Sequence, residues 1–204
     1  MHFDDLAGAL ERREVDFVAD PIYKTESRTL LYRFCRTYSR FDVAVAVVRK
    51  KEQRFRHFAD LNQPGTRIVL AEGWTSTEYA QANLPAARNT FQYVKIRGDA
   101  SIQMDLVRDG QADAALNDVP TVLQYVLRNK ETVKALWLNN PPLQVEGSFI
   151  TRRDDRDLCD FLNELLTKAI ADGILLELDQ KWKTLGLLPS HEYKRGSGLS
   201  RYKA

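Results

Sequence analysis

Three loop-to-helix junctions hold the residue types whose spacing could do chemistry. In Thr25-Glu26-Ser27-Arg28, Thr25 can cap a helix and Arg28 falls in its first turn. A cation there opposes the helix dipole, which favours anions at its start. Arg28 therefore calls for a negative partner, either a side chain such as Glu26 or a ligand carboxylate. In Glu72-Gly73-Trp74-Thr75-Ser76-Thr77-Glu78, Thr75 and Glu78 fit a capping box. Gly73 lets the backbone approach closely, and the amides that follow either serve only the helix or cradle an anion. Trp74 is bulky for such a turn, so it either lines a cleft or packs under the loop. In Leu116-Asn117-Asp118-Val119-Pro120-Thr121, Asp118 follows a buried strand and precedes a proline suited to a helix start. It reads as an N-cap, or as a fixed carboxylate for an ammonium group. Arg28 and Asp118 could together hold the two ends of a zwitterion, since charge-assisted hydrogen bonds are the strong ones.

Other chemistries find little support. The sequence has no G-x-S-x-G, H-E-x-x-H, phosphate loop or C-x-x-C. Its three histidines, His2, His57 and His191, lack ligand spacing, so no metal and no cofactor are expected. Cys35 and Cys159 are read as separate buried thiols rather than a disulfide. Thirty Lys+Arg against 28 Asp+Glu leave a formal charge of +2, too balanced for a nucleic-acid footprint. The longest apolar runs, such as Val43–Val48, fall far short of a membrane helix. With 44% hydrophobic and 28% charged residues over 204 positions, the composition is that of an ordinary globular chain.

The elements that would position these junctions alternate between short apolar strands and helical periodicity, an α/β pattern. A helix is expected from Phe3 to Leu10, then a strand over Val15–Ala19 that Asp20-Pro21 breaks, then a helix from Thr25 to about Tyr32. Strands follow at Asp42–Arg49, Arg67–Ala71, Phe91–Ile96, Ala112–Leu116, Val133–Leu138 and Gly147–Thr151. Helices fall at Thr75–Asn83, Ala100–Arg108 and Pro120–Arg128, with a short turn at Phe58–Leu61. The run Arg49-Lys50-Lys51 is read as a solvated turn. Leu158, Phe161, Leu162, Leu165, Leu166, Ala169 and Ile170 form one apolar stripe that Gly173 stops, and Ile174–Leu185 adds a last helix. Residues 190–204 are polar and expected to be disordered. One internal echo stands out: Leu10…Val15-Asp16-Phe17 and Val107…Ala112-Asp113-Ala114 each lead from a helix through a polar turn into a buried strand.

Taken in order, these stretches resemble the bacterial extracytoplasmic solute-binding proteins of the polar amino-acid uptake type, solute-binding protein family 3. The resemblance spans about residues 3 to 188. It rests on Leu10…Val15-Asp16, Pro21-Ile22…Thr25-Glu-Ser-Arg28, Phe34…Tyr38 and the strand ending Val48-Arg49-Lys50. It continues through Ala59-Asp60-Leu61 with Pro64-Gly65, Gly73-Trp-Thr75, Gly110-Gln-Ala-Asp113-Ala114…Asp118, Ala171-Asp172-Gly173 and Lys181-Trp182. What it implies is a two-lobed clamshell with a ligand cleft between the lobes. Residues 1–45 would open lobe 1, 46–146 form lobe 2, and 147–189 return to lobe 1. By this resemblance Arg28 takes a ligand α-carboxylate, helped by Gly73, Trp74 and Thr75, and Asp118 takes the α-ammonium. Asp20 and Tyr23 occupy lobe 1 positions that also touch ligand.

The implied function is binding, not catalysis: an amino acid or related zwitterion, delivered to the membrane component of an ABC-type uptake system. Alternatives are an enzyme of dehydratase or lyase type on the same scaffold, or a non-binding or sensor remnant. The chain departs from the family in three ways. It starts at a helix where relatives first have a strand, a helix and another strand, so lobe 1 is expected to be incomplete and to invite self-association. Asp20-Pro21-Ile22-Tyr23 replaces small hydroxyl-bearing residues, and Trp74 stands where a small residue is usual. A periplasmic location is implied by the resemblance. With no signal sequence, the chain is cytoplasmic as written or its beginning has been removed.

Overall fold

The computed structural model describes residues 3–184, and the expected tail at 190–204 lies outside them. The chain divides into two compact units. Unit 1 takes the residues up to Phe41 and those from Val145 on; unit 2 is Asp42–Gln144.

Unit 1 is built on a sheet of order β1-β9-β2, with β3 also pairing β9. Its strands are β1 (Phe17–Tyr23), β2 (Tyr32–Phe34), β3 (Ser39–Val43) and β9 (Leu143–Arg152). β9 runs antiparallel to β1 and β2. Successive residues of a strand point to opposite faces, and β9 shows the consequence. Ile150 packs with Val18, Ile22 and Leu10 of α1 (Phe3–Glu11), while Phe149 packs with Cys35, Cys159 and Leu162 of α6 (Arg156–Ala171). Helix α7 (Ile174–Thr184) follows the turn at Gly173, whose φ of +78° suits glycine. Cys35 and Cys159 are disulfide-bonded, with Cα atoms 5.4 Å apart, which corrects the reading of two separate thiols. Sequence spacing could not pair residues separated by 124 positions; packing of α6 against the strand end does.

Three local expectations change. β1 continues through Asp20-Pro21 to Tyr23, with a register irregularity between Val18 and Ile22. Proline lacks an amide to donate, but β1 lies at the sheet edge and its register is already broken there. The helix expected from Thr25 to Tyr32 is only the four-residue α2 (Glu26–Thr29), because Tyr32–Phe34 pairs with β9 instead. The strand expected at Asp42–Arg49 is interrupted at Ala44, whose φ is +61°. β3 joins the sheet of unit 1, and β4 (Val45–Arg49) joins that of unit 2.

In unit 2 the sheet order is β6-β5-β7-β4-β8. Its remaining strands are β5 (Ile68–Ala71), β6 (Phe91–Val94), β7 (Ala114–Asn117) and β8 (Val133–Leu136). β5 is parallel to both β6 and β7, whereas β4 is antiparallel to β7 and β8. The near-continuous apolar runs of β4, β5 and β7 fit strands covered on both faces. On one face α4 (Ile102–Arg108) and α5 (Val119–Arg128) pack Met104, Val107, Val122 and Tyr125 over Val45, Val47, Val69 and Ala115. On the other, Ala80 of α3 (Thr75–Asn83) and the 3-10 turns at Phe58–Leu61 and Pro85–Thr90 cover Ala46, Val48, Ile68, Leu70 and Leu116.

The internal echo is realised down to an arginine in each unit. Arg49, at the end of β4, donates Nη1 to the carbonyls of Ala112 (2.8 Å) and Val107 (3.5 Å), and Nη2 lies 3.5 Å from Asp113 Oδ1. Arg152, at the end of β9, donates Nη1 to Val15 (2.8 Å) and Leu10 (3.4 Å), and Nη2 to Asp16 Oδ1 (3.4 Å). Each arginine thus ties the turn before a strand to that strand's antiparallel neighbour. Arg49 therefore does not belong to a solvated turn. The two versions differ in weight. Asp16 is 82% exposed, whereas Asp113 is 9% exposed and also pairs with Arg54 and Arg67. Burial pushes the Asp113 carboxyl up. The Arg67 side chain and amide, with Arg54, outweigh burial and hold it down at about 2.

Candidate functional site

The residues expected to bind ligand fall into two groups, one on each unit. In unit 1, β1 carries Asp20 and Tyr23. Thr25 Oγ1 accepts the Arg28 amide at 3.4 Å and pairs with Ser27 Oγ at 2.9 Å, starting α2 as the cap reading supposes. Arg28 Nη1 donates to the Tyr23 carbonyl at 3.0 Å, which holds the guanidinium at the end of β1. The Tyr23 ring packs against Phe41, centroids 5.1 Å apart. Tyr23 and Arg28 are thus in direct contact, while Asp20 sits on the exposed part of the same strand.

In unit 2 the site follows from strand order. β5 and β7 are parallel neighbours, Ile68 opposite Ala114 and Val69 opposite Ala115, so the chain leaves both at the same sheet edge. Carboxyl ends of parallel strands are where such sheets bind ligands. After β5, Gly73 takes a φ of +74°, a conformation that glycine adopts without steric cost. Trp74, not Thr75, occupies the N-cap of α3 and makes no side-chain cap bond. The predicted Thr75–Glu78 capping box is therefore not formed: the Glu78 amide goes to the Trp74 carbonyl. Thr77 Oγ1 instead donates to the Ala71 carbonyl at 2.5 Å and stitches the helix start to the end of β5. Thr75 and Ser76 are buried at this turn, and Thr75 Oγ1 has no hydrogen-bond partner among the described residues. First-turn amides also lack intrahelical acceptors and point out of the helix.

After β7, Asp118 is the N-cap of α5, its Oδ1 accepting the Thr121 amide at 2.9 Å. The Asp118 amide in turn donates to Asn117 Oδ1 at 2.7 Å. Gly73, Trp74, Thr75 and Asp118 thus share one sheet edge. Sequence reasoning passed over Asn117, although an amide closing a buried strand was a visible signal. Among the described residues, no three His, Cys, Asp or Glu side chains group as metal ligands, and no helix is long and apolar enough to cross a membrane.

Two compact units of helices and strands, each with its own sheet, and in unit 2 polar turns at the carboxyl ends of parallel strands, suit a protein that binds small ligands. The chain belongs to the bacterial extracellular solute-binding proteins, family 3, whose pattern it matches over residues 1–185. It is 21% identical over 180 residues to the L-cystine-binding protein TcyJ of Escherichia coli (strain K12), covering 88% of this chain and 64% of that one. To the L-cystine-binding protein TcyK of Bacillus subtilis (strain 168) it is 23% identical over 184 residues, covering 89% and 66%. The chain thus spans just under two thirds of the length of these curated relatives. The substrate binding protein of an amino acid ABC transporter superposes with a TM-score of 0.75 at 22% identity, covering 90% of this chain and 78% of that one, a likeness of fold.

Proposed function

We propose that this protein binds an amino acid and serves ABC-type uptake outside the cytoplasm. Arg28 takes the α-carboxylate together with the start of α3, and Asp118 takes the α-ammonium. Asp20, Tyr23, Gly73 and Trp74 line the ligand. The observation that carries the reading is the start of α3, beside the Asp118 turn. There a 6%-exposed threonine hydroxyl makes no hydrogen bond to a described residue. An unpaired buried hydroxyl costs roughly 1–3 kcal/mol. A carboxylate oxygen accepting from it and from the first-turn amides recovers that cost. An ionised carboxylate offers about four acceptor sites, and an ammonium group supplies three matching donors. L-cystine is the first ligand to test, because the two curated relatives are named for binding it.

The test is calorimetric titration with L-cystine, L-arginine, L-lysine and L-glutamine, on the wild-type chain and on Asp118→Asn and Asp118→Ala. Wild type is expected to bind one of them at micromolar affinity, about 8 kcal/mol in total. Asparagine caps helices as well as aspartate does, so Asp118→Asn keeps its unfolding free energy to within about 0.5 kcal/mol yet loses binding about a hundredfold. Asp118→Ala loses binding and about 1 kcal/mol of stability. Failure of every amino acid to bind a folded wild-type chain refutes the reading, and conversion of bound ligand to product would move the protein to the enzyme alternative.

A further inference from the structure

Helix α4 inverts its own polarity at its first turn. Ile102 is 46% exposed, while Gln103 beside it is fully buried, on the stripe that Met104 and Val107 present to the core. A helix placed by burial alone would have these two residue types exchanged. Neither Gln103 Nε2 nor Gln103 Oε1 hydrogen-bonds to another described residue. Buried amides are almost always paired, so such a group calls for a function.

The register shows what shares its layer. In β7, Ala115 faces the α4–α5 side and Leu116 the α3 side, so Asn117 returns to the α4–α5 side. Asn117 is also fully buried; its Oδ1 accepts the Asp118 amide at 2.7 Å, and its Nδ2 has no partner among the described residues. α4 leads from β6 into the parallel β7, so its first turn lies over the carboxyl ends of the strands, where Asn117 sits. Two buried amides with complementary unmet donors and acceptors therefore share one end of one layer.

We propose that Gln103 and Asn117 form a buried amide relay that orients Asp118. Gln103 Oε1 accepts through one bridging water from Asn117 Nδ2, and fixes the rotamer in which Asn117 Oδ1 receives the Asp118 amide. Asp118 is thereby held at its N-cap angle with its carboxylate aimed out of the sheet edge. The relay deepens the proposed function, since it rests on Asp118 receiving the ligand ammonium.

The experiment uses the full chain with Gln103→Met, and Gln103→Leu as a second apolar variant in case one fails to fold. In the ligand-free protein, the Asp118 amide resonance is expected to shift, and its hydrogen exchange to speed up about tenfold. Helical amides of α3 should stay unchanged and the melting midpoint should not fall. L-cystine and 3,3′-dithiodipropionate, which keeps both carboxylates and the disulfide but lacks the ammonium groups, are then titrated. L-cystine is expected to weaken about tenfold and the des-amino acid to be unaffected. An unchanged Asp118 amide, or equal weakening of both ligands, overturns the relay. If wild type binds neither ligand, the pair is replaced by the amino acid that the calorimetric titrations select and its des-amino analogue, while the amide measurements decide the relay in either case.

Discussion

Replacing Asp113 by asparagine removes one carboxylate on which three guanidinium groups converge. Arg49 Nη2 lies 3.5 Å from Oδ1, Arg54 Nη2 and Arg67 Nη2 each lie 3.2 Å from it, and the Arg67 amide donates to Oδ2 at 3.0 Å. With its carboxyl held near 2 in the folded chain against an ordinary 3.8, Asp113 contributes roughly 2 kcal/mol at neutral pH. Arg54 and Arg67 are 57% and 41% exposed, so solvent screening reduces the expected figure to about 1–2 kcal/mol. The sign follows from the depressed folded value. The contribution is complete above the unfolded carboxyl's range and is lost as pH falls through 4 toward 2. Below that, a protonated Asp113 resembles asparagine. The stability gap between wild type and Asp113→Asn should therefore be widest at pH 7, about half as large at pH 3, about a sixth as large at pH 2, and closed near pH 1. Urea unfolding across this range measures it, in a Trp182→Phe background so that fluorescence reports Trp74 and Trp137 of unit 2. A gap as wide at pH 3 as at pH 7 would refute the reasoning, since it would come from packing and not from charge.

Two further outcomes follow from packing and covalent structure. Gly147→Ala would place a methyl 2.7 Å from Phe41 Cε2 and 3.1 Å from Pro21 Cβ. With Phe41 packed on Tyr23, it should cost about 1–3 kcal/mol by chemical denaturation, and a cost near zero would show that Phe41 swings clear. Cys35→Ser with Cys159→Ser should weaken unit 1 by about 2–5 kcal/mol. Amide exchange should then lose protection in α6 and β9 but keep it in β5 and β7, whereas uniform loss would contradict an effect confined to unit 1.

Where burial alone decides an element, the sequence was readable. β5 and β7 are short apolar runs between turn residues, and α6 carries an unbroken stripe, so periodicity found all three. Asp118 was visible because strand, acid and proline stand in that order. What escaped depends on distant partners. Tyr32-Arg33-Phe34 alternates over only three residues, too short a run to stand out from the expected helix, and becomes a strand because β9, more than a hundred residues later, pairs with it. Thr75 and Glu78 have capping-box spacing, yet the helix starts one residue earlier, because Thr77 ties it to Ala71. The arginines that anchor each turn, Arg49 and Arg152, sit at strand ends remote in sequence from the aspartates they meet, so only the echo itself could be read. The proposed ligand roles of Arg28 and Asp118 rest on one of the two readings that the local pattern allowed, and on the family resemblance.

The link between Cys35 and Cys159 has a topological consequence. Every residue of Asp42–Gln144 lies inside the ring of chain that this bond closes. The peptide backbone makes one long excursion between the two stretches of unit 1, but those stretches do not depend on it to stay in one molecule. A protease cut anywhere in the excursion would leave a single covalent species that separates only on reduction. New chain ends could be opened there as well, making unit 2 the natural place for a graft.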